Sequence, residues 1–399
     1  MLPWRPMESA APQAFPAPGK PWRWDIFCTV VDNFGDIGVC WRLARQLASE
    51  IGLEVCLWVD DLKSFARLCP AVEIDAPEQS VAGVRIRHWQ MPLPEVEAAQ
   101  VVIEAFACEL PAAYLAAMAR CARPPVWLNL EYLTAEDWAA HCHSVASPHP
   151  RLPLIKYFFF PGFDERTGGL LREQELEAQR SAFLADAAAQ AHLWQQVGTA
   201  PRAGERPVSL FCYGHLPIQG LLESWSKGPQ PILCLAPLGP ALPQINAWSG
   251  GRLQGAGDSW QQGALRIRLM DFLAQEDYDR LLWACNLNFV RGEDSFVRAQ
   301  WAARPLVWQI YPQEAEAHAD KLTAFIDAYT ASLEPAAATS LRAFWMAWNG
   351  LAEVPPGDGW DAFIAHLPAL AEHAKRWQSA QSRLPDLAES LVRFCRSKL

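Results

Sequence analysis

From Trp24 onward, short apolar runs alternate with stretches whose apolar residues recur every three or four positions. The run WDIFCTVV (Trp24 to Val31) is rich in β-formers and closes on Asp32-Asn33-Phe34-Gly35-Asp36; Ile37, Cys40, Leu43, Ala44, Leu47, Ala48 and Ile51 then follow at helical spacing. This predicts a strand, a tight loop and an amphipathic helix. Further strands are expected at Leu53 to Val59, Val84 to Trp89, Val101 to Phe106, Val126 to Leu130 and Ile155 to Phe160, with helical segments such as Pro111 to Cys121 between several of them. An Ala-rich polar segment, Leu170 to Val197, reads as helix with no turn signal before Gly198, and Thr199 to Pro207 is the best linker. A second alternating series runs through Val208 to Tyr213, Pro231 to Ala236, Ala264 to Met270, Asn286 to Val290 and Pro305 to Ile310, after which the chain is helical to its end.

Strands that alternate with helices build mostly parallel sheets covered on both faces. The pattern therefore predicts two α/β domains in tandem with a cleft between them, spanning 24–198 and 206–369. A Pro-rich flexible leader, 1–23, precedes them, and the last helices, 370–399, are placed to cross back to the first domain.

Composition narrows the function. With 34 Lys+Arg against 44 Asp+Glu the 399-residue chain has a formal charge of −10, so no global positive field is available to hold a phosphate backbone, and neither nucleic acid nor membrane is expected as a partner. No run of about 18 apolar residues occurs, and the leader lacks an apolar signal core. The eleven cysteines are scattered, without a Cys-x-x-Cys pair, and read as buried, reduced thiols of a cytoplasmic protein. The 19 tryptophans, among them Trp41, Trp283, Trp301 and Trp308, read as core packing.

Ligands of open α/β sheets bind beyond the carboxyl ends of the strands, so the polar turns there matter most. In Asp32 to Gly38, Asp32 and Asp36 are two carboxylates able to share acid-base work or bind a cation if Asp32 ends the strand and Asp36 caps the helix; equally they form a turn residue and a cap with no chemistry. In Arg291-Gly292-Glu293-Asp294-Ser295, Asp294 or Ser295 is a natural N-cap, and free N–H groups there suit a diphosphate; the same turn also fits a capped helix without a ligand. Glu293 repels a diphosphate and better suits sugar hydroxyls or holding the loop. The chain has no G-x-G-x-x-G, Walker A or G-x-S-x-G motif, and His141, Cys142, His143 and His149 lack metal-ligand spacing, so no metal or cofactor is expected.

Two blocks, DIFCTVVDNFGDIGVCWRLARQLA (Asp25 to Ala48) and NFVRGEDSFVRAQWAARPLVWQIYPQ (Asn288 to Gln313), resemble the protein-arginine rhamnosyltransferase family that modifies elongation factor P, called EarP; the likeness runs from about Trp24 to the C-terminus. The resemblance implies a glycosyltransferase-B fold, two Rossmann-like domains facing across a cleft, with an N-terminal acceptor-binding domain and a C-terminal one holding the nucleotide sugar. It implies inverting, metal-independent transfer of rhamnose from dTDP-β-L-rhamnose to an arginine of elongation factor P. On the matching residues it makes Asp36 the general base and Asp32 its partner in holding the acceptor arginine. Glu293, Asp294 and Ser295 match the donor-binding, activity-essential segment. Phe272 and Gln275 resemble thymine contacts, and Phe211 and Tyr213 aromatic donor contacts. The competing expectations are a transferase of the same fold with a small-molecule or lipid acceptor, and a non-catalytic two-lobed binding protein.

Overall fold

The computed structural model describes residues 22–31, 34–90, 93, 96–216, 218–312 and 317–399. The leader as far as 21 lies outside them. The first half runs β1 (Arg23–Cys28), α1 (Gly35–Ser49), β2 (Glu54–Val59), α2 (Leu62–Leu68), β3 (Glu78–Val81), β4 (Val84–His88), β5 (Val101–Ala105), α3 (Ala112–Arg120), β6 (Val126–Leu130), α4 (Asp137–Cys142), β7 (Ala146–Pro148) and β8 (Ile155–Phe159). Helices α5 (Leu176–Ala185) and α6 (Ala187–Val197) connect it to β9 (Arg206–Leu210), α7 (Gln219–Lys227), β10 (Ile232–Pro237), α8 (Leu242–Trp248), β11 (Ser259–Gln262), β12 (Leu265–Met270), α9 (Gln275–Ala284), β13 (Leu287–Arg291), α10 (Asp294–Trp301) and β14 (Leu306–Gln309). Five helices close the chain: α11 (Ala317–Thr330), α12 (Pro335–Trp348), α13 (Pro356–Ala365), α14 (Leu367–Gln381) and α15 (Leu387–Lys398).

The strands form two sheets, in the orders β3-β4-β2-β1-β5-β6-β8-β7 and β11-β12-β10-β9-β13-β14. Pairing is parallel except for β3, β7 and β11, which are antiparallel edge strands. This is the α/β, glycosyltransferase-B arrangement expected. The three edge strands are too short, at three or four residues each, for alternation to mark them.

Chain order reverses beside β1 in the first sheet and beside β9 in the second, and such switch points open crevices at the strands' carboxyl ends. The segments after β1, β9 and β13 therefore enter the cleft. The first sheet is covered on both faces. Trp24, Ile26, Ile37, Cys40, Trp41 and Leu47 belong to one buried cluster, while Phe27, Trp58, Tyr114, Met118 and Trp127 form another. Leu387, Leu391 and Cys395 of α15 lie in the first of these clusters, so the last helix packs on the first lobe, whereas Leu367 and Leu370 of α14 stay in the core of the second.

Two expectations need correction. The stretch Leu170 to Val197 is not one helix: the chain breaks at Asp186, whose carboxylate caps α6 by accepting from the amides of Ala188 and Ala189. The linker expected at Thr199 to Pro207 ends at Glu205. Arg266 forks onto Glu205 and donates to Thr199 Oγ1 and the Ala200 carbonyl, tying that segment to the second sheet, and Arg206 and Pro207 already belong to β9.

Candidate active site

The first catalytic candidate sits where its strand ends. Helix α1 starts at Gly35 with Phe34 in the N-cap position, so Asp36 lies in the first turn and is not the cap. Asp36 is 1% exposed; one carboxylate oxygen accepts from the Val31 amide at 2.9 Å and the other from the Tyr132 hydroxyl at 3.1 Å. Tyr132 is stacked on Phe106, with ring centroids 4.4 Å apart. Phe106 and Ala107 hold φ values of 56° and 57°, uncommon for non-glycine residues, and the Asn129 side chain accepts from the Ala107 amide there. The ends of β5 and β6 thus position a phenol on the base candidate. Asp32 lies outside the described residues.

Facing this group is the turn between β13 and α10. Gly292 adopts φ 65°, which favours glycine, and its carbonyl accepts from Trp308 Nε1 at 2.9 Å. Glu293, not Asp294 or Ser295, is the N-cap residue, and no side chain caps the helix. Ser295 closes the turn on itself, its hydroxyl donating to the Arg291 carbonyl and accepting from the Arg291 amide. Asp294 points across the cleft: its oxygens take Arg42 Nε at 2.8 Å and Gln275 Nε2 at 3.2 Å. Glu293 reaches the first lobe and accepts from the Leu133 amide at 2.9 Å. Burial pushes the Glu293 carboxyl up to about 7, helped by the negative Asp36 and Asp294 and opposed by Lys321 and the Leu133 amide. Lys321 itself is held below the usual lysine range by burial, against the pull of Glu293, Glu136 and Glu131.

The donor candidates converge only in part. Phe211, Phe272, Gln275, Asp294 and Ser295 line one pocket, closed on the first-lobe side by Phe34 and Gly35. Phe34 rests on Phe272 with centroids 4.3 Å apart. Tyr213 does not line that pocket. Its ring and that of Phe211 both lie against the Arg291 guanidinium, at 4.4 and 4.5 Å from the respective centroids. The Tyr213 amide is fixed by Gln309 Oε1 at 2.6 Å.

Arg291 is the residue that sequence reasoning passed over, although it stands inside the motif. It is 5% exposed, lines the pocket, and among the described residues meets no carboxylate at ion-pair distance. A buried guanidinium held by two rings and facing a pocket suits an anionic ligand such as a diphosphate. Its position at the last residue of a strand beside the switch point was the available signal. Tyr132 was passed over as well; it stands two residues past the end of β6. Among the described residues no group of three or more His, Cys, Asp and Glu side chains is arranged to hold a metal ion, and no helix is long and apolar enough to cross a membrane.

Comparison with known proteins agrees with this geometry. The family described as Elongation-Factor P (EF-P) rhamnosyltransferase EarP matches residues 24–396. The protein-arginine rhamnosyltransferase of Pseudomonas aeruginosa is 50% identical over 374 residues, covering 93% of this chain and 98% of that one. The Neisseria meningitidis (serogroup B) enzyme of the same name is 35% identical, over 92% and 96%. A solved structure described as the structural basis for EarP-mediated arginine glycosylation of translation elongation factor EF-P superposes with a TM-score of 0.69 at 35% identity, covering 95% of this chain and all of the other. With a two-sheet fold, a cleft built from strand ends and likeness over nearly its whole length, the chain belongs to the EarP family of protein-arginine rhamnosyltransferases.

Proposed function

We propose that the protein transfers rhamnose from dTDP-β-L-rhamnose to one arginine side chain of elongation factor P, with inversion at the anomeric carbon and in the cytoplasm. The observation that carries this reading is a buried carboxylate, Asp36, near enough to Glu293 to raise its carboxyl, beside a turn whose Arg291 guanidinium lies against two rings and lines a pocket. The eleven unpaired cysteines support a reducing compartment.

A guanidinium stays protonated at ordinary pH and delocalises its lone pairs, so it is a poor nucleophile. Asp36 supplies what it lacks. Its carboxylate accepts the N–H proton as the nitrogen–anomeric carbon bond forms, while the bond from that carbon to the β-phosphate oxygen breaks and dTDP leaves with the electron pair. Asp32, as the resemblance has it, holds the rest of the planar fork. Charge that grows on the departing diphosphate is met by Arg291 and by the free amides at the start of α10, so the step needs no divalent ion. Phe211, Phe272 and Gln275 receive the thymidine, and Glu293 faces the sugar side of the turn.

The test is incubation of the purified protein with dTDP-β-L-rhamnose and elongation factor P, followed by intact-mass and fragment mass spectrometry. One deoxyhexosyl unit on an arginine is the expected product. Binding of dTDP without transfer to this acceptor would point to a small-molecule or lipid acceptor, and binding without turnover on any acceptor to a two-lobed binding protein.

A further inference from the structure

The helix that carries Asp36 is fastened to the donor side of the cleft by a buried ion cluster whose membership is unexpected. Arg42, on α1, is 1% exposed and spends its fork on the second lobe: Nε on Asp294 at 2.8 Å, Nη1 and Nη2 on the two oxygens of Asp279 at 2.9 and 3.0 Å. Asp294 lies in the donor turn between Glu293 and Ser295. A second tie runs beside it, since Gln275 Nε2 donates both to the Gly38 carbonyl at 3.0 Å and to Asp294. Gly38 permits this approach: a Cβ there would stand 3.1 Å from Asp294 Cβ and from Gln275 Nε2. The wall of the donor pocket made by Gln275 and Asp294 is therefore held against the same helix face that Gly38 and Arg42 share, one turn apart.

We infer that Arg42 is a positioning residue for the transfer reaction, holding α1, and with it Asp36, in fixed relation to the donor turn through Asp294. The inference rests on the reaction proposed above. Arg42 touches neither substrate; it acts through Asp294 on one side and through the rigid first two turns of α1 on the other. Only a guanidinium suits the place, because one cation must bond two carboxylates lying in different directions, which the point charge of a lysine does not do. Arg298 shows what a purely structural member looks like: it binds Asp279 and Glu173 and makes no bond to Asp294. The arrangement also explains the state of Asp294, which faces a pocket meant for an anion yet has each oxygen bonded to a donor from another element. Its side chain serves to join the lobes, leaving the anion to Arg291 and the amides.

The experiment compares wild type, Arg42→Gln and Arg42→Lys in rhamnose transfer and in hydrogen exchange with and without dTDP. Wild-type transfer decides the underlying reading by itself; the variants decide this one. Arg42→Gln is expected to lower kcat about 10- to 100-fold while the donor KM stays within about threefold, since a displacement near 1 Å is enough for such a loss, and Arg42→Lys recovers little of it. In wild type, dTDP slows amide exchange both in 291–297 and in 35–40; in Arg42→Gln it slows only the former. That second readout needs no turnover, so it stands even if the acceptor is wrong. Unchanged kcat, full recovery by lysine, protection of 35–40 in Arg42→Gln equal to wild type, or a parallel loss of dTDP binding would each overturn the inference. Should Arg42→Gln not fold, Asp294→Ala removes the acceptor of the same bond, and loss of dTDP-induced protection at 35–40 is the expected result there as well.

Discussion

Asp36 and Glu293 are two acidic side chains of the same cleft with different surroundings. Asp36 accepts from a backbone amide and a phenol, a setting that orients a carboxylate as a proton acceptor. Replacement by asparagine keeps the shape and removes the basicity. Asp36→Asn is expected to reduce transfer about 10³-fold or more, with dTDP affinity by calorimetry within about threefold of wild type; comparable turnover would remove the base assignment. Arg291→Ala is expected to act on the other side, weakening dTDP binding about 10- to 100-fold through loss of a charge-assisted contact, and an unaltered affinity would send the diphosphate elsewhere. For Glu293 the prediction is one of pH. Its carboxyl titrates near 7 when folded against an ordinary value of 4.5, so the folded protein binds the extra proton. The stability this confers is complete below the unfolded value and is lost as pH rises through about 7. Wild type should therefore lose ground to Glu293→Gln between pH 5 and 8, by on the order of 2–3 kcal/mol, and parallel denaturation profiles for the two proteins would contradict the raised value.

At the scale of elements, helix α1 has three duties on its surface. Ile37, Cys40, Trp41, Leu43, Ala44 and Leu47 face the core of the first lobe, Asp36 faces the cleft, and Gly38 and Arg42 meet the second lobe. The first face was plain in the spacing of apolar residues; the last was not, because a glycine and an arginine in a helix look like exposed positions. Gly38→Ala tests it. In an exposed helix the change would add about 1 kcal/mol of stability, but here the new methyl must displace Asp294 and Gln275 by a few tenths of an ångström. The expected outcome is no gain in Tm and a several-fold fall in kcat, whereas a Tm increase with full activity would show that the contact is slack. The tryptophans belong to the same scale. Trp308 stacks on Phe296 at 3.9 Å and holds the Gly292 carbonyl, so it shapes the donor turn from behind without entering the pocket.

For the whole molecule, the last helix returns to the first lobe. Leu391, fully buried, lies in one cluster with Trp24, Ile26 and Leu57. Leu391→Ala is expected to cost about 2–5 kcal/mol and to speed hydrogen exchange in β1 and β2, more than 300 residues away in sequence; an effect confined to α14 and α15 would contradict this packing. Alternating apolar runs were enough to read two α/β units, most of their strands and the strand-end turns that hold Asp36 and the 291–295 segment, because the burial of a parallel strand and of one helix face leaves a local, periodic trace. Which polar groups those turns bring together left no such trace. Arg42 and Asp294 are 252 positions apart, Tyr132 and Asp36 are 96 apart, and a salt bridge or hydrogen bond between distant residues imposes no period on either segment. Sequence by itself determined the two sheets and the motif-bearing turns. Only the tertiary structure decided that Asp294 is bonded across the cleft to Arg42 while Arg291 lines the pocket against two rings, since the fate of a charge depends on which side chains the fold carries to within about 4 Å of it.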